Sequence, residues 1–337
     1  MSKIEWTEKT WNPIVGCSIV SPGCTHCYAM RMAARLEAMA GPGLDDEGYA
    51  ARDTHPLDHY RGTTKRVNGN PVWTSKVAMA TDRVLTGPLR RRKPTTYFVN
   101  SMGDLFHEDV PAAWIDRVFA VMALCPQHTF QVLTKRAARM RAYVVRGDDE
   151  HGDYFERLSD AAVALTDSPC AGHVDSVSWP LPNVWLGVSV ERQQEADARI
   201  PDLLATPAAV RFVSCEPLLG PVDLTELFYG QNLWVICGGE SGSSARPMPP
   251  DWARAIRDQC TAAGVPFFFK QWGEWLPSDD ALNFNDGEAW ARRHFPGRPF
   301  QHHTTGHTFV KAGKGAAGRL LDGHLWDEMP ITREPAP

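Results

Sequence analysis

The sequence predicts an α/β protein: a partial (β/α) barrel of about six to seven parallel strands, with a doubly wound sheet as the second arrangement. Six short apolar runs recur between residues 96 and 272, each nearly continuous in hydrophobicity, as strands covered on both faces are. Stretches of helical period lie between them, and this alternation is the mark of α/β architecture. No run approaches the length of a membrane-spanning helix, and no heptad pattern or low-complexity tract is present.

In chain order, "WNPIVGCS" (11–18) is a seventh strand candidate that leads into a cysteine-rich loop, and "YAMRMAARL" (28–36) has helix composition. Residues 41–80 are rich in Gly, Asp and Pro and read as an insertion. The main strands are expected at 96–101, 129–135, 184–190, 210–216, 233–240 and 265–272. Helices are expected at 111–124 and 250–264; the second carries Pro and Asp at its start and Gly at its end, as helix termini prefer. Residues 146–182 read as a second insertion. Residues 276–337 read as an irregular or hairpin extension to a barrel domain of residues 1–275. Within it "GKGAAGR" (313–319) lacks the full phosphate-loop pattern and is expected as a hairpin turn. Trp185 and Trp234 lie inside strands and are expected in the core. Trp272 and Trp275 are expected to pack, with base stacking as the alternative.

The 337 residues are 43% hydrophobic and 22% charged, the balance of a soluble globular chain. A net charge of −5 falls short of the basic footprint of a dedicated nucleic-acid binder. Two basic stretches, 90–94 and 135–146, read as solvated faces or as phosphate contacts. The start "MSKIEWTEKTWNP" lacks the apolar core of a signal peptide, so a cytoplasmic protein with no membrane partner is expected.

Of the eight cysteines, Cys125, Cys170, Cys215, Cys237 and Cys260 are scattered and read as small core residues. Cys17, Cys24 and Cys27 crowd into one loop with the spacing C-x6-C-x2-C. Four readings fit these residues. They are a structural zinc site with His55 or His59 as a distant fourth ligand, the ring of His26 being expected to point away, a redox dithiol on "CTHC", three unrelated buried thiols, and a [4Fe–4S] cluster on three cysteines whose fourth iron position is open to a small molecule. Parallel barrels carry their chemistry at the C-terminal ends of strands. Those ends hold Asn100, Ser101 and Asp104; Lys135 and Arg136; Ser189 and Glu191; Cys215 and Glu216; Glu240; and Lys270.

A three-cysteine loop after the first strand of such a barrel resembles the radical S-adenosylmethionine superfamily, although its commonest first gap is three residues and here it is six. "EWTEKTWNPIVGCSIVSPGCTHCYAMRMA", "FVNSMGDLFHEDVP", "FQVLTKR", "VWLGVSVE", "RFVSCEPLLGPV", "VICGGESGSSARPM" and "PFFFKQWGEW" together are similar to a phage- and prophage-associated three-cysteine-motif family. That family is radical-SAM-like and distantly related to spore photoproduct lyase. The resemblance implies a [4Fe–4S] cluster on Cys17, Cys24 and Cys27, with S-adenosylmethionine chelated at the open iron. Reductive cleavage would give a 5′-deoxyadenosyl radical that abstracts hydrogen from the substrate, the protein supplying binding and orientation. It implies an external electron donor of the flavodoxin or ferredoxin type. The leading substrate expectation is a nucleobase or nucleoside in DNA, with a free nucleotide or small protein target as alternatives. Under it, Asn100, Ser101 and Asp104 are candidates for the methionine ammonium, and Lys135 and Arg136 for its carboxylate or a substrate phosphate. Ser189 and Glu191 are candidates for the ribose or substrate. Glu240, in the literal "GGE" of 238–240, is a candidate catalytic residue facing the site. Cys215 is the candidate for returning a hydrogen atom, with Cys237 behind it and a buried inert thiol as the competing reading. The alternative function is a zinc-stabilised α/β module that binds a protein or nucleic acid without catalysis.

Overall fold

The computed structural model describes residues 4–40, 55–145, 153–166, 174, 177–227, 233–278 and 287–331. Its centre is a seven-stranded sheet of β1 (Lys9–Trp11), β2 (Thr96–Val99), β3 (Thr129–Thr134), β4 (Val184–Ser189), β5 (Val210–Cys215), β6 (Leu233–Gly238) and β7 (Phe267–Gln271). Spatial order equals chain order, and the all-parallel sheet curls as half a barrel. A doubly wound sheet would reverse direction at a switch point, so that second arrangement is ruled out. The longer helices are α1 (Tyr28–Met39), α2 (Ala112–Ala123), α3 (Ala137–Val145), α4 (Asp153–Leu165), α5 (Gln193–Leu204) and α6 (Pro250–Ala263). Among the described residues no helix is long and apolar enough to cross a membrane.

Backbone contacts divide the chain into two compact units. The first holds Met1–Val20, Cys27–Leu186 and Ala205–Ala209. Here β2 pairs with β1 and β3, in a register that sets Tyr97 beside Phe130 and Phe98 beside Gln131. The expected strand 11–18 breaks in two. β1 ends at Trp11, and Ile14–Val15 instead pairs antiparallel with Ala78–Met79. The cause lies between them: Pro13 has no N–H for a ladder, and the N–H of Ile14 is taken by Asn100 Oδ1 at 3.2 Å. Residues 146–182, expected as an insertion, contain helix α4, which buries Leu158 and Ala162 and packs on α2. That second cover explains why α2 is buried nearly all round. The described part of 41–80 folds as a hairpin, Thr64–Val67 with Asn70–Trp73, over an Asn68–Gly69 turn with φ of 48° and 77°. Trp73 and Tyr60 join Met30 and Ala33 of α1 in one core cluster, against which Cys17 and Cys27 pack.

The second unit holds Ser21–His26, Gly187–Leu204 and Val210–Pro337. Its strands β5, β6 and β7 keep a regular parallel register, Val213 beside Val235 and Ile236 beside Phe268. Helix α6 ends at Gly264 in the left-handed conformation, φ 67°, as its sequence predicts. The extension after residue 275 is richer than a hairpin and tail: Leu276–Pro277, Thr308–Val310 and Phe300–His302 form a three-stranded sheet. "GKGAAGR" is a correction. Lys314–Ala317 is a short helix rather than a turn, with Gly313 and Gly318 supplying positive φ on either side. Trp185 and Trp234 are core as expected. Trp272 and Trp275 also pack, with indole N–H groups on the carbonyls of Leu320 and Ala245, which leaves no face for a base. Of the scattered cysteines, Cys125, Cys215, Cys237 and Cys260 are buried core thiols, and Cys170 lies outside the described residues.

The ring of Phe212 lies over Gly187, where an added Cβ would sit 2.5 Å from it. Gly187→Ala is expected to cost about 1–3 kcal/mol in urea unfolding by overpacking, and Phe212→Leu in the same chain to restore part of that.

Candidate functional site

The cysteine loop runs from Val15 to Tyr28. Its outer parts belong to the first unit and Ser21–His26 to the second, and each is anchored to buried charge within its own unit.

In the first unit the anchor is Arg136, just beyond β3 and 8% exposed. Its Nη1 donates to Asp104 Oδ2 at 3.1 Å and approaches Cys17 Sγ at 3.4 Å. Nη2 donates to Ser18 Oγ at 2.6 Å, and Nε to Glu108 at 3.1 Å. Burial works against the guanidinium's charge, but Asp104, Cys17 and Glu108 outweigh it and hold its pKa above the ordinary arginine value. Asp104 also accepts the Thr134 hydroxyl at 2.7 Å and the backbone N–H groups of Phe106 and Lys135. With both oxygens so engaged, Asp104 orients Arg136 and has little left for an ammonium. The second grip on Ser18 is His107, 1% exposed. Its Nδ1 accepts the N–H of Asp109, so Nε2 carries the proton and donates to Ser18 Oγ at 3.0 Å. Burial, then the Arg136 charge, pushes the His107 pKa below its ordinary value.

In the second unit Glu191, directly after β4, is fully buried. Its carboxylate accepts Ser21 Oγ at 2.8 Å and Arg199 Nη1 at 3.0 Å. Gly23 lies against the same group: a Cβ there would be 2.5 Å from Glu191 Oε1. Ser21 Oγ in turn lies 3.6 Å from the buried Cys24 Sγ. Glu240, beyond β6, takes Arg246 through both oxygens, at 2.7 and 2.8 Å, and lies 3.4 Å from His26 Nδ1. Arg246 Nη2 also donates to Pro22 O at 3.1 Å. Burial alone would raise the Glu240 pKa, but the Arg246 and His26 contacts outweigh it and the net shift is downward. Glu191 and Glu240 thus hold the middle of the loop by its serine, glycine and histidine.

The remaining candidates divide. Asn100 adopts φ 58° and is buried; its Oδ1 is used on Ile14, while Nδ2 has no partner among the described residues. Ser101 Oγ donates to Asn12 Oδ1, and its carbonyl accepts the Tyr28 hydroxyl. Lys135 is half-buried beside Arg136, and the Ser189 carbonyl accepts Arg199. Glu216 and Lys270 pair at 2.9 Å. Cys215 sits in register with Cys237 and within electrostatic range of Cys260 on α6. Burial pushes its thiol well above the ordinary range, which suits the core reading. Of the histidines weighed for zinc, His26 turns Nδ1 to Glu240, His55 Nδ1 accepts the N–H of Leu57, and His59 Nδ1 has no partner among the described residues. Among the described residues no three His, Cys, Asp or Glu side chains gather as a ligand set. Cys17, Cys24 and Cys27 form no disulfide with one another, and the Arg136 guanidinium stands beside Cys17.

Residues 1–330 match the family described as "Protein of unknown function (DUF5131)". The chain belongs to the DUF5131 family. No curated protein and no solved structure matches it. In this DUF5131 chain, sequence reasoning missed Ser18, Ser21, Gly23, His107, Arg199 and Arg246. Arg199 had a signal, a cation on the apolar face of α5 between Ala196 and Ile200. The loop serines had none.

Gly23→Ala is expected to displace Glu191 and expose the buried Cys24, raising its iodoacetamide alkylation rate by about tenfold or more, read by peptide mass spectrometry. His107 gives a pH dependence. Because its folded pKa lies below the ordinary 6.5, its contribution is complete above that value and is lost as pH falls and the unfolded chain takes the proton first. His59 and His303 share this direction, so the comparison is with His107→Gln. Between about pH 7.5 and about pH 5.5 the wild type should lose more urea stability than that variant.

Proposed function

We propose that this DUF5131 protein is a cytoplasmic radical S-adenosylmethionine enzyme whose Cys17, Cys24 and Cys27 hold a [4Fe–4S] cluster. The observation that supports it is the fastening of the loop. Between the cysteines, Ser18, Ser21, Gly23 and His26 each meet a buried charged side chain that follows a strand of a parallel half-barrel. Within each unit the loop residues beside the cysteines are thereby held to a fixed partner, which limits the freedom of the neighbouring thiol.

When bound, the cluster supplies the one-electron cleavage of S-adenosylmethionine that yields a hydrogen-abstracting 5′-deoxyadenosyl radical. The chain's own residues position and shield. Arg136 places a positive charge beside Cys17, which suits a sulfur that bonds iron as thiolate. Asp104, saturated by four donors, fixes that guanidinium. Asn100 Nδ2 is a buried donor with no partner among the described residues and suits a carboxylate of the cosubstrate better than its ammonium. Cys215, in the core with a raised pKa, is the weakest of the assigned roles. An external flavodoxin- or ferredoxin-type donor supplies the electron, and a nucleobase or nucleoside, in DNA or free, is the substrate class.

The test is anaerobic reconstitution with iron and sulfide, then reduction with S-adenosylmethionine present. A brown protein that forms 5′-deoxyadenosine is expected, and neither property in the Cys17→Ala, Cys24→Ala, Cys27→Ala variant. A wild type that takes up zinc, or a cluster that never yields 5′-deoxyadenosine, would sink the reading.

A further inference from the structure

Wholly within the second unit lies a cleft of about 360 Å³, lined by Pro22, Arg192, Leu219, Arg246, Pro247, Trp252, Gln301 and His303. That volume lies in the range of about 300–1,000 Å³ found for small-molecule sites. Among the described residues no acidic side chain lines it. Its polar groups share one property. Arg246 is pinned by Nε and Nη2 to Glu240 and Pro22, and Arg192 by Nε and Nη2 to Glu195 and Gln194. Each therefore keeps Nη1 without a hydrogen bond among the described residues.

His303 Nδ1 meets the Thr305 hydroxyl at 2.9 Å and the Thr305 N–H at 3.2 Å, and its Nε2 has no partner among the described residues. The indole N–H of Trp252 and the side-chain amide of Gln301 likewise have none there. Arg192, Arg246, Trp252 and Gln301 thus bring four donor side chains to one cleft, two of them guanidinium groups that their carboxylates hold in place. The matching ligand is an anion with several acceptor oxygens. The rest of the wall is flat and apolar. Trp252, met edge-on by His303 at 5.8 Å and 86°, and the faces of Pro22, Pro247 and Leu219 suit a planar ring.

We propose that this cleft binds the phosphate and base of a single nucleotide unit, with Arg192 and Arg246 on the phosphate and Trp252 against the base. The assignment uses only residues of this unit and does not depend on the cluster. A duplex does not suit it: bases paired inside a helix present no free ring face to a pocket of this size. A free nucleotide and a nucleotide within a single strand offer the same chemistry, and the experiment separates them.

The full chain, without reconstitution, is titrated calorimetrically with adenosine 5′-monophosphate, adenosine, inorganic phosphate and a short single-stranded oligodeoxynucleotide. Saturable binding of the monophosphate is expected, weakened about tenfold or more when the phosphate is removed. Arg192→Gln and Trp252→Leu should each weaken it about tenfold, with circular dichroism confirming the fold. Arg292→Gln removes an exposed guanidinium that pairs with Glu288 outside the cleft, and should change nothing. Tighter binding of the oligonucleotide with the same sensitivity to both variants supports the proposal and makes the source a strand. Adenosine binding as well as its monophosphate overturns it. So does binding that ignores both variants, or no binding of monophosphate and oligonucleotide alike.

Discussion

A carboxylate with no exposure to water must be answered by the protein, and Glu191 is answered from two directions. Arg199 supplies the opposite charge and Ser21 a hydroxyl. Gly23, lacking a Cβ, lets the loop lie flat on the group. Removing Arg199 would leave the Glu191 charge buried and unpaired, an imbalance that typically costs several kcal/mol. The path of residues 21–26 follows from that demand more than from any preference of the loop itself, since its serine, proline and glycine tolerate many conformations.

The same logic recurs along the sheet. Because the strands are laid down in chain order, each strand end delivers the next polar group in sequence. Arg136 after β3 is met by Asp104, Glu191 after β4 by Arg199, Glu216 after β5 by Lys270, and Glu240 after β6 by Arg246. Apolar strands give the core its burial, and at their ends the chain places charges that must each find a partner close by. Three of these four charges, those of Arg136, Glu191 and Glu240, spend part of their bonding capacity on the cysteine loop.

This explains what the sequence could and could not reveal. The strands were legible because a doubly covered strand is continuously apolar, and β2 to β7 all fall within the expected runs. The first strand was misread as one piece because the switch of partner at Pro13 is decided by Asn100, far away in sequence. Helix α4 was missed because the stretches on either side of it, "RGDDEHG" and "TDSPCAGH", are polar and rich in turn residues. For the site, strand-end reasoning found Asp104, Arg136, Glu191 and Glu240, the first three as ligand-binding groups and Glu240 as a catalytic one. Their partners Ser18, Ser21, Arg199 and Arg246 lie on other elements, so nothing local marked these charges as already engaged. The basic stretch 135–146 was likewise ambiguous by composition. It turns Arg136 and Arg139 inward, the latter to the Val110 carbonyl, as part of the framework.

The six-residue gap between Cys17 and Cys24 is therefore not a uniform spacer. Ile19 and Val20 stand in solvent at 48% and 45% exposure, with Ser18 held on one side of them and Ser21, Pro22 and Gly23 on the other. Tolerance to change within these few residues is graded accordingly. Length and composition are free to drift at the exposed pair, where neither packing nor charge is at stake. At the flanking positions each residue is tied to one particular acceptor, donor or void. Relatives of this chain should thus vary the reach of the loop at its crest while keeping its feet.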